Sequence, residues 1–273
     1  MAKKPAALEL LPVEGTGNRF LLLDGMRGPV PDNPGGLALA LCRAGSGPAF
    51  RPDGLLVLQR PSPEGAPALV RMVLYNADGS RPEACGNGLR CIARVAVQRR
   101  HAPAGEFRVE TDAGIRRVRV EAGEGPVTVE MGPAEVAAEP ETLMLAGPDG
   151  ELSGTRVSMG NPHFVLSPEA WTDERVARIG AQIATHDAFP DGVNVGFPTE
   201  RSDGGIDLRV FERGVGETRA CGTGACAAVA VAGRLGQPGQ GGPDRVHLAG
   251  GILDVERDEA GVLWLTGAVN VGG

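Results

Sequence analysis

Lysine is nearly absent from this chain, because Lys3 and Lys4 are its only lysines. An enzyme that uses pyridoxal phosphate holds this cofactor through a buried Schiff-base lysine, and a phosphate-binding P-loop needs a lysine of its own. Two lysines at the very start of the chain are poorly placed for either task. The sequence therefore predicts chemistry without pyridoxal phosphate and without P-loop nucleotide binding.

Long apolar runs, dense basic patches and metal-ligand spacings are missing as well. The longest purely apolar stretch, 225–233, is far shorter than a membrane span, and Glu9, Pro12 and Glu14 interrupt any signal-peptide core. A net charge of −7 argues against nucleic acid as a partner. The five cysteines form no CxxC pair and lie at no ligand spacing from a histidine. We expect a cytoplasmic protein with reduced thiols, without a metal site and without membrane or nucleic-acid partners.

The chain repeats itself. Two similar cysteine boxes, ACGNGLRC at 84–91 and ACGTGACA at 220–227, lie 136 residues apart in a chain of 273. The same shift aligns the strand-like alternation at 70–74 with that at 206–210. Upstream of these, GNRFLLL in the first half resembles GNPHFVL in the second. The repeat predicts two related halves, each with a strand, a turn, a cysteine and a helix in this order.

Scarce aromatic residues (4%) with 42 glycines and 22 prolines favour a turn-rich β or α/β protein over a helical bundle. We predict an α+β (mixed α/β) fold of two pseudo-symmetric halves, each a mixed, largely antiparallel sheet wrapped around a central helix. The halves are expected at 1–131 and 132–261, with a C-terminal strand at about 262–273 that packs back onto the first half. The helical spacing in 171–186 predicts one further helix. The same pseudo-symmetry would place the active site in the cleft between the halves.

Each box has a cysteine, Cys85 or Cys221, directly before a Gly-x-Gly segment and an apolar helix. The glycines are expected to let the backbone turn tightly into the helix. Amides at a helix N-terminus stabilise a thiolate and can hold a carboxylate. Cys42, Cys91 and Cys226 are interpreted as small buried hydrophobic residues. Two equivalent thiols suit a reaction in which a base takes a proton from one face of a carbon and an acid returns one to the other face, which is racemisation or epimerisation without metal or cofactor.

Four segments together resemble the diaminopimelate epimerase family: YNADGSRPEACGNGLRC, SMGNPHFVL, DGVNVGF and FERGVGETRACGTGACAAVAVA. The resemblance runs in order from GTGNRF at 15–20 to the second box and covers most of the chain. It implies a cofactor-independent isomerase that interconverts LL- and meso-2,6-diaminopimelate, in lysine and peptidoglycan precursor biosynthesis. It also implies Cys85 as proton acceptor and Cys221 as proton donor, with the roles exchanged in the reverse reaction, and a homodimer.

The residues around the two thiols follow from the same resemblance. His163 and Glu212 are implied to adjust the thiol pKa values. A diacidic, dibasic amino acid needs many directional donors and acceptors, which asparagines supply. On the residues alone, each asparagine could equally serve its own turn, and His163 could be a capping or core residue. The implied substrate-binding residues are Asn18, Asn76, Gly86, Asn87, Asn161, Asn194, Glu212, Arg213, Gly222 and Thr223.

Two features depart from the family pattern. The family usually has aspartate after the first Gly-Asn, where this chain has Arg19. The loop GSGPAFRPDG at 45–54 is longer than the compact family loop, and for this reason we assign no substrate contact to Asp53. Neither departure touches the cysteine boxes.

Four other functions compete with this interpretation of the sequence. Proline racemases and hydroxyproline epimerases also use paired cysteines, but typically have histidine at the position of Asn87. An NAD-binding enzyme would match G-x-G-x-x-A at 222–227, yet the polar RGVGETRA precedes this motif instead of an apolar strand. A non-catalytic binding protein on the same fold would have no need for both cysteines. Isomerases of the phenazine-pathway type lack the cysteine pair.

Overall fold

The computed structural model describes residues 8–44, 50–82, 85–234 and 244–272. The chain forms two compact units: unit 1 is Met1–Val129 with Ala268–Gly273, and unit 2 is Glu130–Gly267. The first part of the lengthened loop, 45–49, and Ala84 of the first box lie outside the described residues.

Unit 1 begins with a strand pair and contains the first cysteine box. Its last long strand, β7, continues into unit 2. The elements in chain order are β1 (Leu10–Gly15), β2 (Asn18–Asp24), α1 (Pro34–Ala44), β3 (Gly54–Gln59), β4 (Val70–Asn76), α2 (Gly86–Gln98), β5 (Gly105–Thr111), β6 (Gly114–Val120) and β7 (Val127–Pro133).

Unit 2 contains the second cysteine box, and the final strand of the chain returns to unit 1. The elements that follow β7 are β8 (Glu135–Val136), β9 (Glu141–Met144), β10 (Glu151–Ser158), β11 (Pro162–Leu166), α3 (Asp173–Ala184), β12 (Asn194–Glu200), β13 (Ile206–Glu212), β14 (Gly216–Thr218), α4 (Gly222–Arg234), β15 (Asp244–Leu248), β16 (Gly251–Arg257), β17 (Val262–Gly267) and, in unit 1, β18 (Val269–Val271).

The strand pairing of unit 1 is repeated in unit 2. In unit 1 the pairs β1–β2 and β3–β4 are antiparallel, β2–β3 and β4–β5 are parallel, and β5–β6 and β6–β7 are antiparallel. Along the chain, the directions in unit 1 are thus antiparallel, parallel, antiparallel, parallel, antiparallel and antiparallel. Unit 2 repeats this series in its pairs β10–β11, β11–β12, β12–β13, β13–β15, β15–β16 and β16–β17. The predicted mixed α/β fold of two pseudo-symmetric halves is confirmed. β18 pairs with β1.

Each unit has a central helix inside its sheet. Every residue of α2 from Gly86 to Ala96 is buried, and this helix contacts β1, β2, β3, β4, β6 and β18. In unit 2, α4 contacts β10, β11, β12, β13, β16 and β17, and its residues 225–231 are buried. A helix that is enclosed on all sides is usually apolar all round, which is the pattern of the second box, whereas α2 buries Arg90 and Arg94. No helix among the described residues is both long and apolar enough to cross a membrane.

The outer faces of the two sheets are covered by α1 and α3. The predicted helix at 171–186 is α3, which begins after the N-cap Thr172 and buries Val176 and Ile179 against the sheet. Helix α1 was not predicted from the sequence. Its N-terminus is held by Asn33, whose Oδ1 accepts a hydrogen bond from Gly36 N at 2.8 Å. Two glycines in its first turn lower its helix propensity, so the sequence pattern does not indicate a helix here.

The glycines of the cysteine boxes do not act as expected. They are already part of α2 and α4, and their φ angles lie outside the left-handed region. A Cβ added at Gly88 would lie 3.0 Å from Leu56 Cδ2, and one at Gly224 would lie 3.0 Å from Val210 Cγ2. These glycines therefore let a neighbouring strand approach the first turn of each central helix.

Candidate active site

Cys85 is the N-cap residue of α2, as the sequence predicts. Its Sγ accepts a hydrogen bond from Gly88 N at 3.3 Å, and its carbonyl oxygen accepts one from Leu89 N at 2.8 Å. The half-buried sulfur thus lies at the positive end of the helix, where the first amides have no partner within the helix. This environment stabilises the negative charge of a thiolate.

The second residue of α2 connects the helix to the turn before β2. Asn87 is 2% exposed, and its Nδ2 donates to Asn18 Oδ1 at 2.5 Å. Asn87 Oδ1 accepts from Arg90 Nη2 at 2.8 Å, and the same nitrogen donates to Thr16 Oγ1 at 2.7 Å. Asn18, Asn87 and the helix N-terminus at Gly86 therefore form one polar cluster beside Cys85.

Two further residues of unit 1 are Asn76, for which the sequence predicts a substrate contact, and Asp53, for which it predicts none. Asn76 ends β4, and its Nδ2 donates to Ser80 Oγ at 3.0 Å within a tight turn. Asp53 accepts from Arg19 N at 2.9 Å, and Asn18 Nδ2 lies 3.4 Å from the same carboxylate oxygen. The backbone of Arg19, the departure from the family pattern, is thus held by Asp53.

Cys221 directly precedes α4 and is 7% exposed. Its Sγ lies 3.5 Å from Thr223 Oγ1, and the thiol donates a hydrogen bond to the Glu212 carboxylate. Thr218 Oγ1 donates to Glu212 Oε1 at 2.5 Å. Burial raises the pKa of Glu212, whereas the hydrogen bonds from Thr218 and Cys221 lower it. Cys221 is therefore a thiol beside a carboxylate.

A chain of side-chain contacts leads from Thr223 to His163. Asn161 Nδ2 lies 3.4 Å from Thr223 Oγ1, and Asn161 Oδ1 lies 3.1 Å from His163 Nε2. Because Asn161 Oδ1 can only accept, His163 Nε2 carries the proton in this contact. The predicted residues Gly222, Thr223, Asn161 and His163 are thus brought together in unit 2.

Asn194 joins this group from the neighbouring strand. It is paired with His163 in the parallel β11–β12 register. Its Nδ2 donates to Pro162 O at 3.1 Å, and its Oδ1 accepts from Arg213 N at 3.1 Å. The side chain of Arg213 donates from Nη1 to Asp191 O at 2.8 Å. Both the nitrogen and the oxygen of the Asn194 side-chain amide therefore hold backbone groups near the candidate site.

The two units differ at three equivalent positions. Where unit 1 has apolar or neutral residues, unit 2 has a carboxylate, an imidazole and an amide. The first equivalence comes from the 136-residue shift, and the others come from the Gly-Asn segments and the strand registers. The equivalent pairs are Asn76 and Glu212, Phe20 and His163, and Gly54 and Asn194.

His163 is buried, at 2% exposure, and this burial together with the charge of Arg213 lowers its pKa to about 4. We expect a neutral imidazole at pH 7. The unfolded chain binds the proton more readily, so the contribution of His163 to stability is complete above about pH 6.5 and falls as the pH drops towards 4. Imidazole nitrogen chemical shifts measured against pH test this; a midpoint above pH 6 would contradict the buried position.

The remaining cysteines fit their predicted structural role. Cys42 is 5% exposed, and Cys91 and Cys226 are completely buried. Burial raises the pKa of Cys42 and raises that of Cys91 to about 12. A thiol with such a pKa supplies almost no thiolate at neutral pH. Among the described residues, no group of three or more His, Cys, Asp or Glu side chains could hold a metal ion.

Two residues of this site, Arg90 and Thr218, were not predicted from the sequence. Arg90 is fully buried and supports Asn87, and a charged residue three positions further along an apolar helix was the available signal. Thr218 contacts Glu212, but its sequence position in GVGET carries no such indication, because the contact depends on the β13–β14 hairpin.

Solved structures share this duplicated fold. A hydroxyproline epimerase from Agrobacterium vitis superposes with a TM-score of 0.70 at 18% identity and covers 97% of this chain and 91% of its own. A phenazine biosynthesis protein from Bacillus anthracis superposes with a TM-score of 0.71 at 14% identity and covers 97% of both chains. By fold, the chain therefore belongs to the same structural class as these two proteins.

The sequence comparisons identify the family within this class. The diaminopimelate epimerase family matches residues 13–137 and 155–272. A diaminopimelate epimerase of Desulforudis audaxviator is 39% identical over 95% of both chains, and one of Halorhodospira halophila is 42% identical over 93% of this chain and 90% of its own. The chain belongs to the diaminopimelate epimerase family.

Proposed function

We propose that this chain is an isomerase that interconverts LL- and meso-2,6-diaminopimelate by proton transfer between two cysteines. A thiolate removes the proton from the α-carbon, the resulting carbanion is stabilised within the site, and a thiol returns a proton to the opposite face. The first cysteine ends as a thiol and the second as a thiolate, so atoms and charges balance. The reverse reaction uses the same groups with exchanged roles. Neither step requires a metal or a cofactor.

The observation that carries this proposal is the difference between the two sulfur environments. Cys85 Sγ accepts a hydrogen bond from an amide at the start of α2, which suits a thiolate. Cys221 donates to the Glu212 carboxylate, which suits a protonated thiol. An enzyme that removes a proton from one face of a carbon and adds a proton to the opposite face needs one base and one acid at the same time. The assignment of Cys85 as acceptor and Cys221 as donor rests on this difference.

The helix N-termini suit the reacting carboxylate of the substrate. The amides of Gly86 and Asn87 open α2, and those of Gly222 and Thr223 open α4. Such amides bind carboxylates and stabilise the negative charge that develops when the α-proton leaves. We propose that the asparagine, glutamate and arginine side chains named above as substrate-binding residues hold the other polar groups of the substrate.

The alternative within this structural class is a proline or hydroxyproline epimerase. A cyclic imino acid offers one carboxylate and one nitrogen, and needs few polar partners. This chain surrounds its helix N-termini with the amides of Asn18, Asn87 and Asn161 and with Thr223. That number of directional groups favours a substrate with a second amino and carboxyl group.

We also propose a pathway, a cellular location and an oligomeric state for the protein. The family resemblance supports a role in lysine and peptidoglycan precursor biosynthesis. We propose a cytoplasmic location and a homodimer, with the small-molecule substrate as the ligand and no role for nucleic acid.

Solvent proton exchange tests the proposed function. The protein is incubated in deuterium oxide with LL-diaminopimelate, meso-diaminopimelate or L-proline, and deuterium at the α-carbon is followed by mass spectrometry. We expect incorporation with both diaminopimelate isomers, interconversion of the two, and none with proline. Exchange with proline alone would support the alternative, and exchange with none of the three would overturn the proposal.

A further inference from the structure

The short strand β14 lies between the hairpin turn and Cys221. Its residues point alternately to the two faces, as strand residues do. Thr218 donates to Glu212 Oε1 at 2.5 Å. Glu217 accepts from Arg209 at 2.7 Å and 2.8 Å in a two-pronged ion pair on the exposed side. Only the Thr218 side of this strand therefore contacts a residue of the candidate site.

We propose that Thr218 is a positioning residue that fixes one oxygen of the Glu212 carboxylate and thereby limits how tightly this carboxylate holds the proton of the Cys221 thiol. This inference rests on the function proposed above and adds a residue to its machinery. Thr218 reaches Glu212 across the antiparallel β13–β14 pair, in which Glu212 is opposite Gly216 and Thr218 is opposite Val210. The hairpin thus brings the hydroxyl group to a carboxylate six positions earlier in the chain.

The hydroxyl group of Thr218 competes with the thiol for the same carboxylate. A carboxylate that accepts two hydrogen bonds holds each proton less tightly than one that accepts a single bond. Burial raises the pKa of Glu212, and both of its donors oppose this effect. Loss of the hydroxyl group leaves Glu212 more basic, so the thiol proton of Cys221 is held more tightly.

The test is the pH dependence of kcat/KM for LL-diaminopimelate in Thr218→Val, which keeps the shape of threonine without its hydroxyl group. We expect the basic limb of the profile, where Cys221 loses the proton that it must donate, to move to higher pH by about one unit, because a hydrogen bond to a charged group contributes about that much to an ionisation. Thr218→Ser restores the hydroxyl group and should return the limb to its wild-type position.

A matched control comes from the other face of the same strand. Glu217→Gln weakens the ion pair with Arg209 but leaves the hydroxyl group of Thr218 in place. We expect the wild-type pH profile in this variant. An equal shift in Glu217→Gln and Thr218→Val would mean that β14 matters only as a structural support, which overturns the positioning role.

A second measurement does not depend on the substrate. Alkylation by iodoacetamide is followed at each cysteine by peptide mapping across a pH range. In Thr218→Val the midpoint for Cys221 should rise, while that for Cys85 stays at its wild-type value. An unchanged Cys221 midpoint would overturn the inference even if epimerisation is confirmed. A shifted midpoint without any diaminopimelate exchange in the wild type would instead show that the proposed function is wrong.

Discussion

Replacement of either Cys85 or Cys221 by alanine will lower kcat for epimerisation by about 10⁴-fold, the upper range for a single acid–base group. Each thiol serves one of the two proton transfers, and alanine leaves that transfer without its acid or base. Both variants are assayed for the interconversion of LL- and meso-diaminopimelate at equal concentrations of folded protein. Full activity in either variant would rule out the two-cysteine mechanism.

Serine variants separate the roles of the two residues. A hydroxyl group keeps the shape of the thiol, but it is a far weaker acid, so only a trace of epimerisation should remain. With an analogue that has a leaving group on the β-carbon, removal of the α-proton forms a double bond as the leaving group departs. This elimination needs one base only. Cys85→Ser should process the isomer whose proton faces Cys221, and Cys221→Ser the opposite isomer; equal loss with both isomers in both variants would indicate a single catalytic cysteine.

The buried cysteines provide matched controls for these variants. Cys91 and Cys226 lie in the same two central helices and are completely buried. A serine hydroxyl at such a position costs about 1–3 kcal/mol of stability when it lacks a partner. We expect lower denaturation midpoints for Cys91→Ser and Cys226→Ser, with kcat unchanged for the folded fraction. A loss of kcat comparable to that of Cys85→Ser would mean that the effect comes from damage to the helix and not from loss of the catalytic acid or base.

Much of the fold could be predicted because the chain is duplicated. The shift of 136 residues that aligns Cys85 with Cys221 also aligns β4 with β13 and α2 with α4 at both of their ends. Local pattern alone would not have given the parallel β2–β3 and β11–β12 pairs, since these depend on long-range contacts. The helix α1 escaped prediction for a local reason: Gly35 and Gly36 lower helix propensity and outweighed the N-cap signal of Asn33 before Pro34.

The site was predictable where residues act through their position in a motif. Cys85, Asn87, Cys221 and Thr223 belong to the two boxes, and a helix N-terminus follows directly from the Gly-x-Gly segments. The support from Arg90, by contrast, depends on which face of α2 meets the turn at Thr16. Side-chain contacts between distant strands have no sequence signal of their own, so the electrostatic difference between the two sulfurs could come only from the structure.

The buried arginine pair of α2 shows how far the two units have diverged. At the positions equivalent to Arg90 and Arg94, unit 2 has Cys226 and Ala230, which leave α4 apolar. Arg94 is 2% exposed and burial lowers its pKa, which nevertheless stays that of a charged guanidinium at neutral pH. The Arg94 guanidinium donates to backbone carbonyl groups of the β6–β7 loop. Ala230, at the equivalent position of unit 2, has no side-chain donor.

Replacement of Arg94 by methionine should destabilise the protein by about 1.5–3 kcal/mol, the range for the loss of hydrogen bonds made by a charged group. Arg94 Nη1 donates to the carbonyl oxygens of Glu121 and Gly123 at 2.8 and 2.6 Å. Its Nη2 donates to Gly125 O at 2.8 Å and lies 3.4 Å from Pro126 O. Methionine fills a similar volume but donates no hydrogen bond, so these carbonyl groups lose their partner inside the protein.

Urea denaturation followed by circular dichroism measures this loss. The control is Arg43→Met in the last turn of α1, where an exposed arginine is replaced by the same residue and the expected change is within about 0.5 kcal/mol. A loss in Arg94→Met no larger than in Arg43→Met would mean that the loop carbonyl groups find water when the guanidinium is removed. In that case the arginine would be dispensable, and α2 could lose its charge as α4 has done.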